Sequence, residues 1–459
     1  MQSYYSTIVY LFFLVGSLTA VLGCSNNSVT PSEEETTEED PAPEAAFTVG
    51  GSNDDIGKSI LQTIDGGMLI SGTTRSADID FSGLSRGNRD VFAFKTTSLG
   101  SLSFLYTYGG TNSDWAMDSA EDSNGNIYIT GYSRSNDQHF SGQNRGENDL
   151  FLIKTTPDGT LVWAKTFGGS NEDYGYALEI VNQQIIIAGA TRSSDGDISD
   201  KTGDDLDILT LSTNLDGDLL WLQSFGSSGN DEALGIDHDT DDGFVITGSF
   251  ESSDGLFNNM EVDSFGVFII SLNTEGSIQT LNTFNGSGTD IGQSIIAASD
   301  EYIIAGETTS NDGSFESSAS IDKNGFVIKL NNRFEPEWQL TEGGNESDEI
   351  HSIFEIQENL YAAVGETRSS NIFPDPPMFE GQNAFVFLFN SEGSVLLSRT
   401  LGGSRSDIAL DGTILTTNEI AISGWTLSND GPFSGPVKAG RDTYYLKISA
   451  DNLDLIPFK

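Results

Sequence analysis

Cysteine is nearly missing from this chain. Cys24 stands alone among 459 residues, so no intramolecular disulfide can form and the fold must be held by packing. Histidine is scarce too. His139, His238 and His351 are far apart and share no repeated position, which is not the spacing of a zinc site. Basic residues are few: 21 Lys and Arg face 69 Asp and Glu, a net charge of −48. That balance repels phosphate backbones and anionic membrane surfaces, and so excludes nucleic acid as an expected partner. There is no long helical periodicity, no G-x-S-x-G elbow and no phosphate-cradling glycine loop. Acid pairs such as Asp204/Asp205 are expected by chance at this acid content. "DHDTDDG" at 237–243 places its glycine one position late for an EF-hand. No cofactor is implied, with calcium as the one ion the acid columns described below could take.

The apolar stretch 8–23 has the length of a signal-peptide core rather than of a transmembrane helix, and ends in "VLGC". It resembles the lipobox of bacterial lipoproteins, which implies a lipidated Cys24. An ordinary secretory signal with an incidental cysteine is the alternative. The segment after it, "SNNSVTPSEEETTEEDPAPE" (25–44), has no large apolar side chain and reads as a disordered acidic tether. The expected organisation is therefore a signal peptide over 1–23, an anchor and tether over 24–44, and one folded unit over 45–459. The expected location is the bacterial outer membrane or cell surface, with the lipid on Cys24 as the membrane contact.

What the chain does have is glycine, 51 residues of it, and a repeat. "VGGSNDDIG" (49–57) returns as "YGGTNSDWA", "FGGSNEDYG", "FGSSGNDEA", "FNGSGTDIG", "EGGNESDEI" and "LGGSRSDIA". The shared aspartates are Asp55, Asp114, Asp173, Asp231, Asp290, Asp348 and Asp407, 58 or 59 residues apart. Each unit reads as four strands, a to d, separated by turn residues. A glycine closes strand b in every unit (Gly72, Gly131, Gly189, Gly248, Gly306, Gly365, Gly424). Four residues later comes a serine, Ser76 in the first unit, and two after that Asp78, Asp137, Asp195, Asp254, Asp312, Asn371 or Asp430. Seven such sheets bury both faces by closing into a ring, so the expected fold is all-β, a seven-bladed β-propeller of four-stranded antiparallel blades. Either "AAFTVGG" (45–51) or "LDLIPFK" (453–459) could complete the seventh blade.

The pattern G-G-[ST]-x-x-D, then G-x-T-x-S, then D-[VL]-F-x-x-K resembles the bacterial family called β-propeller repeat, found in secreted and surface-attached proteins. The resemblance implies a surface lipoprotein and no common catalytic activity. Blades four and five depart from the glycine pattern, with "FGSSGND" and "FNGSGTD".

If strand a is innermost, the d–a crossovers and the long b–c loops share one face, the expected binding face. The recurring Asp is expected to accept hydrogen bonds from loop amides, with a cation site as the alternative. That alternative would draw on Asp55, Asp78, Asp90, Asp114, Asp137, Asp149, Asp173, Asp195 and Asp207, with Asp442 in the same column as Asp90. A phenylalanine nine residues after the strand-b glycine (Phe81, Phe140, Phe257, Phe315, Phe433; Ile198 in blade three, Phe373 one place early in blade six) is read as a staple for the loop. On the binding face Arg75, Arg134, Arg192 and Arg368 occupy one column, either as partners of the Asp column or as anion anchors, beside the segment 371–383. The expected function is a surface-anchored, monomeric binding or scaffold module for a protein or glycan. The alternative is an extracellular carbohydrate-active enzyme, a polysaccharide lyase or glycosidase, with no catalytic residue assigned.

Overall fold

The computed structural model describes residues 45–459, apart from 200, 202, 240–242, 261, 299–300, 316–321, 373–380, 434–437 and 459. The signal, tether and Cys24 lie outside the described residues, as do Phe373 and most of the segment 371–383.

Seven four-stranded antiparallel sheets follow one another, six of them contiguous in sequence and each ordered a-b-c-d. Blade two is representative: Asp114–Glu121 innermost, then Ile127–Ser133, Asp149–Thr155 and Leu161–Phe167. Burial follows that order. The second and third strands are buried on both faces, whereas outer strands such as Leu219–Phe225 are half exposed. Each innermost strand packs against the next, and the last, Asp407–Ile414, meets the first, Asp55–Gln62. The ring is closed, so the fold is the seven-bladed propeller expected from the repeat.

Both termini help to close blade seven. Ala46–Val49 pairs antiparallel with Thr443–Leu446 of the third strand, Asp442–Ser449. Leu455 bridges Ile448 farther along the same strand, and Ile456 N donates to Lys447 O. The outer position is therefore shared between the two candidates. Phe47 ties them together, with ring centroids 5.5 Å from Tyr445 and 6.3 Å from Phe458. We expect Phe47→Ala to cost about 2–3 kcal/mol, because removal of a packed ring leaves a cavity at the seam; equilibrium unfolding in urea would measure it.

The loop staple is present in every blade where its residue is described. Phe81, Phe140, Ile198, Phe257, Phe315 and Phe433 are all buried beneath their b–c loops.

Candidate functional site

The repeated aspartate is a blade-to-blade joint. Its backbone N–H donates to the carbonyl before strand c of the preceding blade in all seven cases, at 2.7–2.9 Å; Asp173 N to Asn148 O is one. Its side chain binds the crossover. In blade three, Gly169 N and Ser193 Oγ donate to Asp173 Oδ2 at 2.7 and 2.8 Å, and Thr191 Oγ1 donates to Oδ1 at 2.5 Å. The second acid column has the same kind of work: Asp78, Asp137 and Asp195 accept the N–H groups of Ser52, Thr111 and Ser170. The loop-amide expectation therefore holds, and strand-b hydroxyls join it.

Blades four and five keep this joint by paired changes. Blade four has Phe250 where the others have a Thr or Ser hydroxyl, and Ser227 where they have glycine; Ser227 Oγ supplies the missing donor to Asp231 at 2.8 Å. In blade one a Cβ on Gly50 would fall 1.8 Å from Asp442 Oδ1, so glycine is required there by space. At the equivalent joint into blade five the facing residue is Gly266, and that opening admits Asn285.

The residue starting strand c faces the next blade's crossover aspartate. Two acids meet at four joints, Asp442/Asp55, Asp90/Asp114, Asp149/Asp173 and Asp207/Asp231. The remaining three aspartates, Asp290, Asp348 and Asp407, face Gly266, Asn324 and Asn383. Burial pushes Asp55, Asp114, Asp149, Asp173 and Asp207 up to about 6, and Asp231 and Asp442 up to about 7. The neighbouring carboxylate adds to the rise in Asp114, Asp149, Asp231 and Asp442.

The cavity lies on the axis. Every innermost strand carries a β-bulge three residues after its aspartate, and the extra residue is Lys58, Met117, Tyr176, Leu234, Gln293, His351 or Leu410. All seven line one cavity of about 220 Å³. A bulge re-aims a side chain out of the ladder, and here it turns one residue per blade toward the axis. The tight b-strand glycine belongs to this device: a Cβ on Gly131 would meet Trp115 O at 1.8 Å. Sequence reasoning missed this ring. Its signal was the Gly or Ala two residues after six of the seven aspartates, followed by a position that changes from blade to blade.

Below the ring, carboxylates stitch blades together. Asp118 Oδ2 accepts Leu178 N at 2.8 Å, Asp237 Oδ2 accepts Ala297 N at 2.7 Å, and Asp411 accepts Ile60 N at 2.9 Å and Ser352 Oγ at 2.8 Å. Burial raises Asp118, and raises Asp411 to about 7.

Above the ring the channel mouth is electrically lopsided. In blades five and six, Lys323 Nζ is 3.0 Å from Glu307 and 2.8 Å from Glu349, and Gln382 Nε2 donates to Glu366 at 2.6 Å. Glu349, His351 and Glu366 bring one ligand atom each within 4.8 Å of one another, but the Lys323 ammonium on Glu349 already supplies the positive charge a metal would bring. In blades seven, one and two the mouth carries Arg441, Arg75, Arg89 and Arg134 with Trp425 and Trp115. The Arg441 guanidinium lies 4.3 Å over the Trp425 ring, and those of Arg89 and Arg134 lie 5.5 and 5.7 Å from Trp115. Of the arginine column, Arg134 Nε donates to Asn148 at 2.9 Å and Arg192 Nε is 3.4 Å from Glu172; the backbone N–H of Arg368 donates to Ser347 O. The side-chain contacts of Arg134 and Arg192 thus go to mouth residues and not to the Asp column.

No protein-family model and no curated protein matches the chain. Solved structures do. BamB from Moraxella catarrhalis is similar at 10% identity over 88% of this chain and 99% of that one, with a TM-score of 0.43. The Neurospora crassa Pan2 WD40 domain aligns at 9% identity over 89% and 91%, with a TM-score of 0.48. The phage phi92 endosialidase aligns at 9% over 91% and 71%, with a TM-score of 0.46. At these identities the likeness is one of fold alone.

Proposed function

We propose that this protein is a binding module anchored to the bacterial cell surface through a lipid on Cys24, and that it meets a protein or glycan through the long-loop face with the axial cavity as its pocket. The observation that carries this reading is the contrast between columns. Residues that serve the ring recur in every blade, as Asp55 and its six equivalents do. The bulge position instead holds six residue types in seven blades, four of them polar or ionisable. A seven-fold scaffold can recognise an asymmetric ligand only where its repeats differ, and here they differ at the axis. Concave pockets in which a few polar groups converge are where small ligands are held and oriented.

The test has two arms. Cys24→Ser should leave the fold intact and release the protein from membranes on cell fractionation, because acyl chains contribute about 0.8 kcal/mol per buried CH₂. Tyr176→Ala with Gln293→Ala should abolish retention of the ligand found by glycan array and surface-extract pull-down. Equal membrane recovery of Cys24→Ser, or unchanged capture by the axial variant, refutes the corresponding half. Product formation on the bound glycan would instead establish the enzyme alternative.

A further inference from the structure

The two sides of the channel mouth use the same three positions in opposite ways. In blade five the residue before strand c, Lys323, is neutralised by the residue after its own strand-b glycine, Glu307, and by the residue after the next blade's aspartate, Glu349. For Arg89 those two positions hold Thr73 and Trp115. For Arg441 they hold Trp425 and Ile56. Both guanidiniums thus have an indole where Lys323 has a carboxylate.

This exchange matters chemically. A guanidinium over an aromatic face is held through its π surface, so its in-plane N–H donors stay open to a ligand. Arg75 and Arg441 both act electrostatically on Arg89, with Asp54 the one carboxylate among its main influences. Deeper in the channel Lys58 points into the axial cavity, under the field of the same Arg89. Clustering like charges in a half-buried site is unfavourable unless something negative is bound there. A chain of net charge −48 has carboxylates in excess, yet Asp54 is the one carboxylate that acts on Arg89; Asp118 and Asp411 line the cavity that Lys58 enters, on the far side from the guanidiniums.

We propose that the sector of the channel mouth formed by blades seven, one and two, with Arg89 and Arg441 as its forks and Lys58 below, is a binding site for a small oxyanion. The proposal rests on the loop face being the ligand face and names the chemistry of that ligand. The axial cavity beneath these arginines, about 220 Å³, is below the range of drug-sized pockets, so a ligand held at the mouth can send only a small group into it. The surrounding acidic surface repels polyanions at long range, whereas a single oxyanion inside a Debye length of the arginines meets mainly their charge.

Isothermal titration of the full-length, detergent-solubilised protein with glucuronate, inorganic phosphate and glucose at low ionic strength tests this. Glucuronate or phosphate should bind at least tenfold more tightly than glucose, and weaken as sodium chloride rises. The better of the two identifies the oxyanion as a carboxylate or a phosphate. Arg89→Gln and Arg441→Gln should each weaken binding fivefold or more at an unchanged thermal midpoint, and Arg333→Gln, exposed on the opposite face, should not. If neither anion outbinds glucose, or if salt and both arginine changes leave the affinity unaltered, the inference fails. If those arginine variants also keep the array ligand while Tyr176→Ala with Gln293→Ala loses it, only the oxyanion site is wrong. Retention by all of them overturns the proposed ligand face as well.

Discussion

Asp173→Ala should lower the unfolding free energy by about 3–4 kcal/mol, among the largest single-residue effects in the chain. The carboxylate accepts from Gly169 N, Thr191 Oγ1 and Ser193 Oγ, and the residue is wholly buried. Truncation strands these donors without water, and an unmet buried donor costs about 1–3 kcal/mol. Hydroxyl rotation can relieve part of that, so the full sum is not expected. Asp173→Asn should cost less than half as much. Its carbonyl can accept Gly169 N, and its amide can donate to a hydroxyl that turns to accept. Denaturant melts of the three proteins measure the series. Millimolar calcium should leave the ranking and the gaps unchanged, because both carboxylate oxygens are engaged by N–H and O–H donors. A wild-type midpoint that climbs with calcium while both variants stay flat would instead establish the cation reading of Asp55 and its column, by mass action.

The second large effect runs against the usual behaviour of carboxylates. Asp442 faces Asp55 across the blade-seven joint, and its Oδ1 is buried with no hydrogen-bond partner among the described residues. Burial first, with Asp55 and Asp80 nearby, raises its pKa to about 7 against the opposing pull of Lys438, while Asp55 itself is raised to about 6. A carboxyl whose native pKa exceeds its unfolded value near 4 binds more protons when folded. Its contribution is fully present below about pH 4 and is lost as pH rises through 6 to 7. Stability should therefore increase as the protein is taken from pH 8 to about pH 5. Asp442→Asn removes one charge of the pair, and its amide can donate to the carbonyl two residues back, as Asn324 does to Asp322 O at 2.7 Å. We expect a gain of about 1–2 kcal/mol at pH 8 and a shallower pH dependence, since one unit of pKa shift corresponds to about 1.4 kcal/mol. Loss of stability at pH 8, or an unaltered pH slope, would show that the pair is already neutralised in the native protein. The chain has made the same substitution itself: Asn324 and Asn383 occupy this column in blades five and six.

The repeat period and strand alternation determined blade number, strand order and the face carrying the long loops. A structural unit copied seven times fixes the same hydrogen-bond and packing requirements at the same offsets, and those requirements are visible as columns. Asp173, Ser193, Gly131 and Phe140 were legible for that reason, each answering a local demand of its own blade or its immediate neighbour. The compensations in blades four and five were not legible, because Ser227 replaces a hydroxyl lost 23 residues later at Phe250, and Asn285 uses space opened at Gly266 in the preceding blade. The shared closure of blade seven was also undecided, since Ala46–Val49 and the segment around Leu455 each have strand character and only the geometry of Asp442–Ser449 allots them separate halves. Above all, the axial ring belongs to tertiary structure. Lys58, Tyr176, Gln293 and His351 follow one another at intervals of 118, 117 and 58 residues and share no residue type. The bulges turn them inward and ring closure brings them together, so their meeting depends on a rotation about an axis that no single repeat contains.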